Sequence, residues 1–220
     1  VPIAGAEPTP CQNVPAAGGE LIMILTEETP VPSVALPVEE MKDHLRMGSG
    51  FADDGLQDAL IETHLRAALA AIEGRIGKML FQRRFLWVLD CWRDAEQALP
   101  VAPVSGIVSV TLVDAAGGEV VVPATAYRLI PDLHRSRLAG KGMSLPTIPS
   151  EGLVKVVFDA GFGAAWTDVP ADLRQAVLLL AGEYYEHRHD DGTQAAGLPF
   201  GVVTLIERWR TVRILGGGKK

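Results

Sequence analysis

Hydrophobic and polar positions along the chain change period twice, and the changes mark out its parts. From Pro37 the pattern is helical: Val38, Met41 and Leu45 share one face, and Pro37 suits a first turn. Gly48-Ser49-Gly50 breaks it. A longer helix is predicted from about Asp54 to Met79, where Ile61, Leu65, Leu69, Ile72, Ile76 and Met79 step by three or four. Glu62 and Arg66 form an i,i+4 pair off that stripe. The period then drops to two. Phe81, Phe85, Trp87, Leu89 and Cys91 alternate with polar positions as on one strand face. Ile107–Val113 and Glu119–Val122 flank a turn at Asp114–Gly118, and Tyr127–Ile130 and Leu153–Phe158 read as further strands. Residues 131–150 read as a long loop. The helical period returns after Thr167-Asp168-Val169-Pro170 with Leu173, Val177, Leu180 and Tyr184. A last short amphipathic helix carries Val202, Leu205, Ile206 and Trp209.

This order predicts an α+β protein: a small helical bundle with an inserted antiparallel β section and a C-terminal docking helix. The expected divisions are a Pro-rich extended N-terminal arm at 1–36, a helical core at 37–196 with the β insertion at about 81–160, and a docking helix with a basic end at 197–220. Six of fifteen prolines fall in the arm, where they remove backbone donors and fix φ. The start lacks a basic residue followed by an apolar stretch, so no signal peptide is expected, and Met23 is a candidate natural start.

Charge is unevenly spread. The net value is −7, yet residues 201–220 set Glu207 against Arg208, Arg210, Arg213, Lys219 and Lys220. A mildly acidic chain is not a general nucleic-acid binder. Its basic end reads either as a solvated tail or as a cationic foot for an acidic partner. Hydrophobic residues make up 48%, enough for a real core, and no apolar run approaches the ~18 residues that cross a bilayer. Cys11 and Cys91 do not make a disulfide framework.

Candidate chemistry is sparse. Glu183, His187, His189, Asp190 and Asp191 form the densest polar cluster, and Glu183 and His187 share a helix face, so a small metal-dependent hydrolase using Glu183, His187, His189 and Asp191 is the alternative reading. Nothing marks a third ligand, and the residues suit a solvated helix end better, where His and Arg meet the negative dipole. P-loop, dinucleotide, nucleophile-elbow and H-E-x-x-H motifs are absent from the sequence. No enzyme activity, cofactor or resident metal is therefore expected. In the 131–150 loop, Arg135 and Arg137 could touch phosphates or a partner without reading bases.

The order of segments is itself a signature. It runs Phe85-Leu86-Trp87-Val88-Leu89, Leu99-Pro100-Val101-Ala102-Pro103-Val104, Ile107-Val108-Ser109-Val110-Thr111 and Phe158-Asp159-Ala160-Gly161-Phe162-Gly163. It continues through Val169-Pro170-Ala171-Asp172-Leu173-Arg174-Gln175-Ala176, Glu183-Tyr184-Tyr185-Glu186-His187-Arg188 and Leu205-Ile206-Glu207-Arg208-Trp209-Arg210. Over residues 36–215 this resembles the head–tail connector (adaptor) family of long-tailed phages and of gene transfer agents. The resemblance implies a structural protein of the particle neck, assembled in the bacterial cytoplasm, as a ring of about twelve copies in closed cyclic symmetry. It implies a portal protein on one side, a stopper or tail protein on the other, non-specific passage of double-stranded DNA through the ring, and no membrane. By position, portal contact would fall to Leu198, Phe200, Val202, Leu205, Ile206, Trp209, Arg210, Val212 and Arg213. The long Pro-rich arm and the Gly216–Lys220 end depart from the family pattern.

Overall fold

The structure, a computed structural model, describes residues 22–46, 57–93, 95–142, 144–187 and 197–210. The chain divides into two compact units: Val1–Pro30 with Arg83–Gly161, and Val31–Gln82 with Phe162–Lys220. Each is described separately.

The first unit is built on antiparallel sheets. Its strands are β1 (Met23–Glu27), β2 (Arg83–Leu89), β3 (Glu96–Ala98), β4 (Val104–Val113), β5 (Glu119–Val121), β6 (Tyr127–Ile130), β7 (Arg137–Gly140) and β8 (Leu153–Ala160). One sheet runs β1-β2-β8-β4-β5 and the other β3-β7-β6. The alternation read from sequence sets the faces. Phe85, Trp87 and Leu89 of β2 are buried, as are Val154, Val156, Phe158 and Ala160 of β8. Register places Phe85 opposite Phe158, and their rings stack at 5.8 Å, a pairing that contributes beyond burial alone. The β4–β5 turn closes as its composition predicts. Asp114 Oδ1 accepts the N–H groups of Ala116 and Gly118 at 2.9 and 2.8 Å, and Gly117 takes φ 85°, which a side chain would resist.

Three strands differ from the sequence expectation. β1 forms within the stretch read as an extended arm, paired to β2 some sixty residues away. β3 and β7 are short and pair with each other, so 131–150 is not all loop.

The second unit is helical: α1 (Val38–His44), α2 (Asp58–Ile76), α3 (Ala171–Glu186) and α4 (Phe200–Ile206), with 3-10 turns at Ser33–Ala35, Trp166–Asp168 and Glu207–Trp209. The predicted α2 stripe is the core: Ile61, Leu65, Leu69, Ile72 and Ile76 are buried. α2 ends before Met79 because Gly77 enters the left-handed region at φ 67° and its N–H returns to Glu73 O, a C-terminal stop that glycine makes easily. Leu173, Val177 and Leu180 of α3 pack into the same cluster, while Tyr184 is only half-buried. The helices predicted before and after the β section thus meet in one core. The Glu62–Arg66 pair is present at 2.8 Å, and it ties in Ser33 Oγ and the Val31 carbonyl.

Leu65 has no exposure, so Leu65→Ala should lower stability by about 2–5 kcal/mol. Urea unfolding followed by far-UV circular dichroism would measure it, and a cost under about 1 kcal/mol would mean the stripe is not the core.

Candidate functional site

The C-terminal helix is where the candidate residues concentrate, and the structure sorts them into two sets. Val202, Ile206 and Trp209 are buried in the core of their own helical unit. Leu198 and Leu205 are half-buried against it. Phe200 stands 87% exposed, and Arg210 is exposed. Val212 and Arg213 lie outside the described residues. A seven-residue helix has little stability of its own. It is held by packing, each buried side chain contributing about 1.5–3 kcal/mol.

Polar contacts then fix its closing turn. Trp209 Nε1 donates to Asp172 Oδ2 at 2.7 Å, and Arg208 Nε reaches the same oxygen at 2.7 Å. Lys78, with no exposure, donates from Nζ to the Trp209 carbonyl at 2.6 Å. Phe162 meets the indole edge-on at 5.4 Å, and the Arg208 guanidinium lies 4.7 Å above the Trp209 ring. Periodicity does not find Lys78 and Asp172. Lys78 follows the Gly77 stop and Asp172 sits in the first turn of α3, positions that read only as dipole complements. Beside α4 lies a groove of about 540 Å³ lined by Ala71, Gly74, Arg75, Tyr184, Leu198 and Val203, among others.

The basic loop is a shaped turn. Asp132 Oδ1 accepts the N–H groups of Arg135 and His134, each at 2.7 Å. Those bonds hold its carboxyl below the usual range, the Arg135 amide first and the His134 amide next. Ser136 is fully buried, and its hydroxyl donates to the Asp132 carbonyl at 2.8 Å. This presents Arg135 outward. Arg137 is half-buried and paired with Glu96, so the two arginines differ in availability.

Of the hydrolase set, Glu183 and His187 are brought together. His187 Nδ1 lies 3.0 Å from the Glu183 carbonyl oxygen and 3.4 Å from its carboxylate. His189 and Asp191 lie outside the described residues. Among the described residues, no three His, Cys, Asp or Glu side chains gather as a metal site would need.

Chains similar to this one occur in solved structures, among them the following three. One is the neck of an empty GTA particle computed with C6 symmetry, at 54% identity and a TM-score of 0.81. Another is the virion of a native gene transfer agent (GTA) particle, at 55% and 0.78. The third is the neck of a native GTA particle computed with C12 symmetry, at 51% and 0.76. In each, the match covers 88% of this chain and 98% of the other. No protein-family model and no curated protein matches.

Because the folded pKa of Asp132 is depressed, its contribution to the turn is complete above the unfolded value near 4 and is lost as pH falls through the folded value. Amide exchange at His134 and Arg135 should therefore stay protected, relative to Asp132→Ala, at pH 5 and lose that difference in stronger acid. Equal protection in the two proteins at pH 5 would contradict the assigned bonds.

Proposed function

This chain belongs to the neck-protein family of gene transfer agent particles, and from that premise we propose that it is the head–tail adaptor, a non-enzymatic ring subunit between portal and tail. The observation that carries this reading is the 51–55% identity to chains of such particles over 98% of their length. Cyclic symmetry in the related necks supports a closed ring of copies, in which each subunit offers two different surfaces to its neighbours.

In this proposal the C-terminal segment contacts the portal protein, and burial decides how. Releasing α4 would expose Val202, Ile206 and Trp209 together, a cost on the order of 5 kcal/mol or more. That approaches the whole stability of an ordinary domain. The helix therefore remains on its own core as a base. Portal contact falls to what the base presents: Phe200, Leu198, Leu205, Arg210 and the segment beyond, including Val212 and Arg213. An exposed aromatic and arginines on one short segment have the composition of interface anchors. The opposite side of the ring receives the stopper or tail protein. Double-stranded DNA passes through the channel, where a net charge of −7 per subunit disfavours sticking to phosphate. Arg135, on its rigid turn, is the candidate for local contact with DNA or a neck partner.

Removal of the gene should give DNA-filled heads without tails, seen by electron microscopy of particles; normal transducing particles would end the proposal. In a purified system, Phe200→Ser should weaken portal binding about 10- to 100-fold, as for an interface anchor, with circular dichroism unchanged. Binding equal to the wild type would remove Phe200 from the contact.

A further inference from the structure

We propose that Lys78 and Asp172 are positioning residues for the C-terminal segment: acting through Trp209, they fix the position and direction of the main chain at Trp209–Arg210, the base from which the proposed portal-binding segment continues. The inference rests on the portal reading above and assigns a role to two residues outside the terminal segment.

Lys78 poses the problem. A core position that needed only volume would hold an apolar side chain, because a buried ammonium is costly unless it is paired or hydrogen-bonded. Lys78 is fully buried and lies two residues past the end of α2. Its Nζ reaches across 131 positions of sequence to the carbonyl of Trp209, at 2.6 Å. That carbonyl belongs to the last residue of the closing 3-10 turn, where main-chain acceptors run out of helical donors. A cation is also the favoured charge at such an end. Capping alone would account for this one bond, but it does not account for what happens on the other side of the residue.

There the indole N–H is taken by Asp172, 2.7 Å away at the start of α3. Arg208 binds the same carboxylate oxygen, and Phe162 closes the ring edge. Trp209 is thus gripped through its main chain by α2's exit and through its side chain by α3. The next residue, Arg210, is exposed and extended at φ −67° and ψ 137°. Helical backbone turns into extended backbone immediately after the clasp. A segment that starts from a doubly fixed residue loses less freedom on docking than one that starts from a fraying helix end. The arrangement is a preorganised base for a partner-binding segment that continues from Arg210.

The test uses the full chain and purified portal, with affinity read by interferometry. Asp172→Ala and Lys78→Met should each weaken binding about tenfold, the scale of ordering lost at one anchored residue, with ring formation retained. Asp172→Asn keeps an acceptor for the indole and gives up the charge facing Arg208, which is 70% exposed. It should bind as the wild type does. A signature specific to positioning comes from 5-fluorotryptophan: the Trp209 resonance, assigned by Trp209→Phe, should move in Asp172→Ala and Lys78→Met and stay in Asp172→Asn. If Lys78→Met fails to fold, the Asp172 pair decides the matter. Deleting 211–220 separates the two claims. If the deletion abolishes portal binding while Asp172→Ala binds normally, the clasp proposal is overturned and the portal reading stands. If the deletion leaves binding intact, the portal reading and this inference fall together. Equal losses in Asp172→Asn and Asp172→Ala would also overturn the clasp.

Discussion

Everything at the C-terminal end depends on one side chain that must be apolar and polar at once. Trp209 is large enough to seal the helical core and carries an N–H that burial leaves in need of an acceptor. Asp172 supplies the acceptor, and Asp172 stands where the first turn of α3 favours negative charge. The carbonyl of the same residue needs a donor, and Lys78 supplies it from a fully buried position. Remove this residue and α4 is a seven-residue helix with two buried aliphatic side chains, well below what stands alone in water. With it in place, a short terminal element is part of the core, and among the described residues of that element its outer face stays exposed.

That division bears on how a neck protein works. Each subunit has to keep its own fold while making contacts on several sides. Here the helical unit completes its core with α4, and the β unit extends its sheet with β1, an exposed edge strand that pairs with β2 although it enters from the other end of the chain. The helical unit closes its described core with its own terminal helix. Surfaces such as Phe200, 87% exposed, and the Arg135 turn lie outside the packed core. Rigid presentation of small contact sets is what gives symmetric assemblies their fidelity.

Much of this was legible in the sequence, and the rest was not for definite reasons. The long helix, its Ile61–Ile76 stripe, the β2 and β8 alternation and the Asp114–Gly118 turn are local patterns with strong periods, so they read correctly. The order of segments pointed to the neck-adaptor family, and the 51–55% identical neck chains agree. β1 escaped because prolines around it suggested an arm, and its pairing partner lies far along the chain. β3 and β7 are three and four residues long, too short for a period to show. For α4 the amphipathic pattern correctly marks a docking face, but a pattern does not name the surface it docks on. Only the fold shows that Val202, Ile206 and Trp209 enter the core of the same chain's helical unit, with α4 packed on α3. Lys78 and Asp172 carry no motif; they act together only because the fold brings both to Trp209, Lys78 from 131 positions away at 2.6 Å and Asp172 from 37 positions away at 2.7 Å.

The most direct test is a density map of this protein in its own particle neck, at a resolution that traces side chains. The account predicts α4 of every copy seated on its own α2 and α3, with the Trp209 indole on Asp172 and the chain after Arg210 running onto the portal. Density showing α4 crossing into a neighbouring copy, or the segment after Arg210 directed toward the tail, would contradict it.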